Sequence, residues 1–132
     1  MNITILPAAW TPYLLSVLRF VTGLTLLQHG CGKLLHFPAG AVPPTFNMNS
    51  MPGYAGYIEL VCGILLVLGL FTRPAAFLAS GMTAVAYFMV HFPRGFYPIL
   101  NGGELAVVYC FVFIYICAAG AGPWSVDAKM KK

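Results

Sequence analysis

Residues 18–36 read LRFVTGLTLLQHGCGKLLH. The run lies in an apolar segment long enough to cross a bilayer, which takes about 20 residues. Yet it holds Arg19, His29, Lys33 and His36. Ionisable side chains in hydrocarbon are costly. They persist where they face a bundle interior, pair with each other or serve a function. The fold therefore has to supply partners for these groups.

The whole chain has this character. Of its 132 residues 60% are hydrophobic and 8% charged, against about 25% charged in a soluble domain; mean hydropathy is +0.84. These values exclude a soluble globule and predict one integral membrane domain over residues 1–132, with the lipid bilayer as its main partner. Seven Lys and Arg against three acids give a net charge of +4. Lys129, Lys131 and Lys132 form a basic C-terminal tail, which reads as an anchor near anionic headgroups. No basic patch with interleaved aromatics lies elsewhere, so nucleic acid is not an expected partner. Met1 to Trp10 lacks the basic residues of a secretory signal and reads as an interfacial leader, with Trp10 and Tyr13 at headgroup level.

The ten prolines avoid the long apolar runs. Proline lacks a donor and clashes with the preceding turn, so it marks helix starts and ends. Its spacing predicts an all-α, four-helix transmembrane bundle with spans at about 12–37, 53–71, 74–92 and 102–121. Thr11 caps the first helix, and Thr72 or Arg73 the third. Four spans put both termini on one side, with Arg73 and the terminal lysines. The opposite side holds Lys33 and Arg94, and the balance favours cytoplasmic termini.

At 1.5 Å per residue, His29 and Lys33 near the end of the first helix reach the same outer layer as four other ionisable groups. These are Glu59 near the start of the second helix, His91 and Arg94 at the end of the third, and Glu104 at the start of the fourth. Tyr87 shares a column with His91, and Glu104 one with Phe111 and Tyr115. Two readings stay open. The ions fix helix register only, or they line an outward-facing pocket that binds a quinone headgroup or a small anion. Arg19 lies in the other leaflet with no acid at its depth. It either snorkels or caps carbonyls near Ala118 to Gly120.

Four cysteines, Cys31, Cys62, Cys110 and Cys117, form no CxxC pair. They read as small buried apolar residues, with a Cys31–Cys62 contact or disulfide allowed by depth. No ligand spacing indicates a metal. A haem on His29 and His91 is allowed by a bundle but is outweighed by hydrogen-bonded histidines.

The segments LRFVTGLTLLQHGCGKLL, GYIELVCGILLVLGLFTRPAAF, HFPRGF, NGGELAVVY and GPWSVD together resemble the DoxX family of small four-helix bacterial membrane proteins, from about Leu14 to Asp127. The carrying elements are H-G-x-x-K, from His29 to Lys33, and Y-x-E-L-x-x-G-x-L-L-x-x-G-L-x-T-R, from Tyr57 to Arg73. The resemblance implies a bacterial inner-membrane protein tied to redox chemistry. A related protein, DoxD, is a subunit of a thiosulfate:quinone oxidoreductase. Arg19, His29, Lys33, Glu59, Arg73, His91 and Glu104 are the motif positions it carries over. The leading expectation is a subunit or partner of a quinone-linked oxidoreductase system, with a membrane protein or a second copy as partner. The alternatives are a non-catalytic accessory or assembly subunit, and a small-molecule carrier, which would need a dimer.

Overall fold

The computed structural model describes residues 3–131. Lys132 of the basic tail and the first two residues of the leader lie outside the described residues. All regular structure among the described residues is helical. After a short 3-10 turn, Ala8–Trp10, come α1 (Thr11–Leu35), α2 (Met51–Leu68) and α3 (Thr72–Ala86). A π turn, Tyr87–His91, and a 3-10 turn, Phe92–Arg94, continue α3. Then follow the single turn α4 (Pro98–Asn101), α5 (Glu104–Ala119) and the short α6 (Val126–Met130).

Three helical stretches, Ala8–Leu35, Met51–Leu68 and Thr72–Arg94, have the length and hydropathy to cross a bilayer. The fourth apolar helix, α5, has 16 residues. That is roughly 24 Å against a hydrocarbon thickness of roughly 30 Å. The expected fourth span is thus shorter than the 102–121 read from sequence. Gly102 takes a left-handed φ of 73° and breaks α4 from α5.

The other boundaries move for similar local reasons. α1 stops at Leu35 because His36 adopts φ 52°. α2 begins at Met51, where the Ser50 hydroxyl accepts from the N–H of Gly53 at 3.3 Å. It stops at Leu68 because Gly69 turns left-handed, with φ 68°. Pro93 has no N–H to continue the ladder of α3; there the N–H of Phe92 reaches back five residues to the carbonyl of Tyr87.

α1 packs along α2 and α3 along α5; α2 joins α3, while α1 and α5 barely meet. The α1–α2 seam is set by glycines seven residues apart on each helix. A Cβ on Gly30 would sit 2.5 Å from the nitrogen of Leu60, and one on Gly63 2.6 Å from the Cα of Leu27. Gly23 lies as tightly against Leu66. Without a hydrophobic force between helices in lipid, such close backbone approach is what packing can use. Leu26, Cys62, Leu66, Ala76, Ala79, Phe113 and Ile116 fill the centre.

The buried face of α5 is Tyr109, Phe113 and Ile116. Phe111 and Tyr115 are exposed, as is Glu104. This corrects the reading of Glu104, Phe111 and Tyr115 as an inward stripe: all three face outward. Gly30→Ala is expected to lower stability by about 1–3 kcal/mol through forced separation of the α1–α2 backbones, read as a drop in melting midpoint in detergent.

Candidate functional site

The polar groups divide between the two ends of the bundle. At the end shared by the chain termini, Arg19 is buried, 2% exposed. Its Nε donates to the carbonyl of Ala121 at 2.8 Å, its Nη2 to Trp124 at 2.6 Å, and its Nη1 to Leu66 and, at 3.0 Å, to Val67. Of the two expectations for Arg19, it is the capping of carbonyls that occurs, and the carbonyls include the frayed end of α2. Capping at the end of α5 falls instead to Arg73, whose Nη1 donates to Cys117 at 2.7 Å and Ala118 at 2.6 Å.

The chain after α5 completes this end. The Ser16 hydroxyl accepts from the N–H of Trp124 at 3.2 Å, and the rings of Tyr13 and Trp124 pack at 5.1 Å. Asp127 accepts from the N–H groups of Phe71 and Thr72, each at 2.9 Å, one on each carboxylate oxygen. The cap of α3 is therefore Asp127, not the expected Thr72 or Arg73. Partial burial alone would raise the Asp127 carboxyl. The N–H of Thr72, then that of Phe71, and the charge of Lys131 outweigh it and hold the group below the ordinary aspartate range.

At the opposite end, Lys33 Nζ lies 2.8 Å from both carboxylate oxygens of Glu59. It donates a hydrogen bond to Oε1; Oε2, buried, accepts none among the described residues. Gly56 makes the pair reachable: its missing side chain leaves room for the Lys33 stem, 3.1 Å from an ideal Cβ.

A cavity of about 630 Å³ opens beside this pair, bounded by α2, α3 and α5. His29, Lys33, Glu59, His91 and Tyr109 are among its polar lining residues. Ile58, Phe77, Leu78, Met82, Val85 and Leu105 are among its apolar walls. The His29 ring stands edge-on to Tyr109 at 6.3 Å.

Asn101, 2% exposed, organises the rim. Its Nδ2 donates to the Tyr87 hydroxyl at 3.3 Å and the Gly95 carbonyl at 2.9 Å, and its Oδ1 accepts from Gly103 at 2.8 Å. His91 Nδ1 faces the carbonyl of Asn101 at 3.2 Å. A carbonyl only accepts, so Nδ1 carries a proton and donates to it.

Of the residues expected in one layer, His29, Lys33, Glu59 and His91 share the cavity. Tyr87 sits behind His91, its ring stacked at 6.4 Å. Arg94 and Glu104 are exposed and outside the lining. Tyr109, Asn101 and Asp127 were not singled out from sequence. A tyrosine inside an apolar span was the available signal for Tyr109. All four cysteines are free. Among the described residues no group of three His, Cys, Asp or Glu is placed to hold a metal.

A family model described as DoxX matches residues 14–92. A Haemophilus influenzae protein described as uncharacterized is 43% identical over 127 residues, covering 93% of this chain and 95% of that protein. A second uncharacterized protein of that organism is 29% identical over 96 residues, 73% of this chain and 61% of its own length. An uncharacterized membrane protein of Mycobacterium tuberculosis is 26% identical over 131 residues, covering 87% of this chain and 80% of that one. No solved structure matches.

Asp127→Asn keeps one acceptor for the α3 cap and loses the other, at an expected cost of about 1 kcal/mol at neutral pH. Because the folded carboxyl titrates below its unfolded value, its contribution is complete above the ordinary aspartate range and fades as pH falls through the depressed value. The melting midpoints of variant and parent should therefore converge on acidification.

Proposed function

The chain belongs to the DoxX family, and from that premise we propose that it is a redox-associated protein of a bacterial inner membrane, a subunit or partner of a quinone-linked oxidoreductase system. On this reading its four apolar helices cross the bilayer as one domain, with α5 tilting little and the bilayer thinning around it. The termini, with Arg73 and the tail lysines, lie in the cytoplasm by the positive-inside bias. The cavity then opens in the outer half.

One observation carries this reading. A cavity of about 630 Å³ with largely apolar walls includes Lys33, Glu59, His29 and His91 in its lining. Its size falls within the range of small-molecule pockets, and a few convergent polar groups in an apolar cleft are their usual mark. The lining suits a quinone and its reduced form: the Lys33 ammonium can donate to a quinone carbonyl, and His91 Nε2 can accept from a quinol hydroxyl. A quinone accepts and returns electrons together with protons. The residues here would orient its ring, and His29, Glu59 and His91 would hold or pass those protons. Ions inside a membrane are functional candidates by default.

The accessory-subunit reading is favoured by a different fact: Lys33 and Glu59 already neutralise each other at 2.8 Å. A pair that only fixes the α1–α2 register would look the same. Purification in mild detergent followed by solvent extraction and quantification of quinone separates the two. Retained quinone, reduced about tenfold by Glu59→Gln and by His29→Ala, is the expected result, since a hydrogen bond to a charged group is worth about 1.5–3 kcal/mol. Unchanged quinone in both variants would defeat the pocket reading. Co-purification of a large partner, unaffected by both, would support the accessory one.

A further inference from the structure

Along α1, Thr22 donates to the carbonyl of Leu18 at 2.7 Å, Thr25 to that of Thr22 at 3.0 Å, and Lys33 pairs with Glu59. The amide of Gln28, in the same helix, makes no hydrogen bond among the described residues. It is exposed and lies outside the cavity lining. Its depth removes water as the partner. Leu27 and Gly30, to either side of it, pack on Gly63 and Leu60. Those two stand more than one turn from one end of α2 and more than two turns from the other. Gln28 also stands roughly 10 Å short of the end of α1. Glutamine lacks the long stem by which lysine and arginine reach the surface, and lipid tails offer an amide no hydrogen bond.

The residues around it form a continuous face. Val17, Val21, Leu24, Gln28, Cys31 and Leu35 follow one another in alternating steps of four and three. All are exposed except Cys31, which is half-buried. Those steps are the seam of a left-handed helix pair. The exposed stripe of any helix comes near this spacing, so the spacing alone selects nothing. Gln28 is what distinguishes this stripe: one polar position in an apolar seam fixes register and partner, and in lipid an amide across a seam holds helices together.

A second copy is the partner the geometry selects. Two copies inserted the same way are related by a two-fold axis along the membrane normal, and the patch on that axis is its own complement. A residue beside the axis therefore meets itself at equal depth. An amide carries both donors and an acceptor, so each glutamine donates to the carbonyl oxygen of the other. We infer that the chain is a homodimer whose α1 helices run side by side and parallel, with Gln28 against Gln28 at the two-fold axis. Gln28 is no part of the cavity lining, so the dimer stands whether or not the cavity binds a quinone.

The native thiol at Cys31, on the same stripe, supplies the first test. With Cys62, Cys110 and Cys117 replaced by alanine, oxidation of membranes with copper–phenanthroline should join Cys31 to Cys31 as a covalent dimer on a denaturing gel. Leu24→Cys in a chain without the native cysteines should do the same. Phe77→Cys, on the exposed face of α3, should not. The second test keeps the native cysteines and follows energy transfer between labelled copies in vesicles diluted with lipid. Gln28→Leu should weaken self-association about tenfold, and Gln28→Asn, which keeps the amide, should stay within a few-fold of the parent. A cooperative melt of Gln28→Leu shows that it folds. Absence of both α1 cross-links, equal cross-linking at Phe77→Cys, or unchanged self-association in Gln28→Leu overturns the dimer. A different membrane protein retained by the parent and lost in Gln28→Leu, with no Cys31 cross-link, overturns the second copy as the partner of this face.

Discussion

In hydrocarbon there is no water to satisfy a guanidinium or a helix end, so each must solvate the other. Arg19 and the carbonyls of Leu66, Val67, Ala121 and Trp124 do this. The last carbonyls of a helix have no partner in the regular ladder; of these in α2, Leu66 also accepts from the N–H of Gly69 at 3.2 Å. One buried arginine supplies donors to the end of α2 and to the segment after α5, and so ties α1, α2 and the tail together. Arg73 on the end of α5 and Asp127 on the start of α3 extend the same logic. This end is committed to structure. The opposite end, where Lys33, Glu59 and His91 lie, is free to border a cavity.

Glycine placement sets the second constraint. Gly23, Gly30 and Gly63 bring α1 and α2 into backbone contact. That closeness lets a lysine on one helix reach a carboxylate on the other at 2.8 Å. A wider seam would leave two uncompensated charges in a low dielectric, which costs several kcal/mol. The ion pair and the glycines are thus one feature. Where α3 meets no helix closely, at Gly81, the same residue type leaves open space instead.

Much of this was legible from sequence. Long apolar runs bounded by proline gave the helices to within a few residues, and depth along each helix brought His29, Lys33, Glu59 and His91 together. The face of α5 was not legible. Its apolar residues run all round, so a single charge, Glu104, had to choose the face, and a charge at a helix start is solvated wherever it points. The partners of Arg19 were hidden because backbone carbonyls have no sequence signature. The cap by Asp127 comes from the far end of the chain, and only its place in GPWSVD hinted at a role. Boundaries shifted wherever a residue adopted a left-handed conformation, as His36, Gly69 and Gly102 do.

On the proposed function, the cavity beside Glu59 holds a quinone headgroup. A density map of the protein reconstituted in nanodiscs of its native lipids tests it most directly. The expected result is a planar ring within hydrogen-bond distance of Lys33 or His91. A cavity filled by acyl chains, with only water at its polar end, would contradict it.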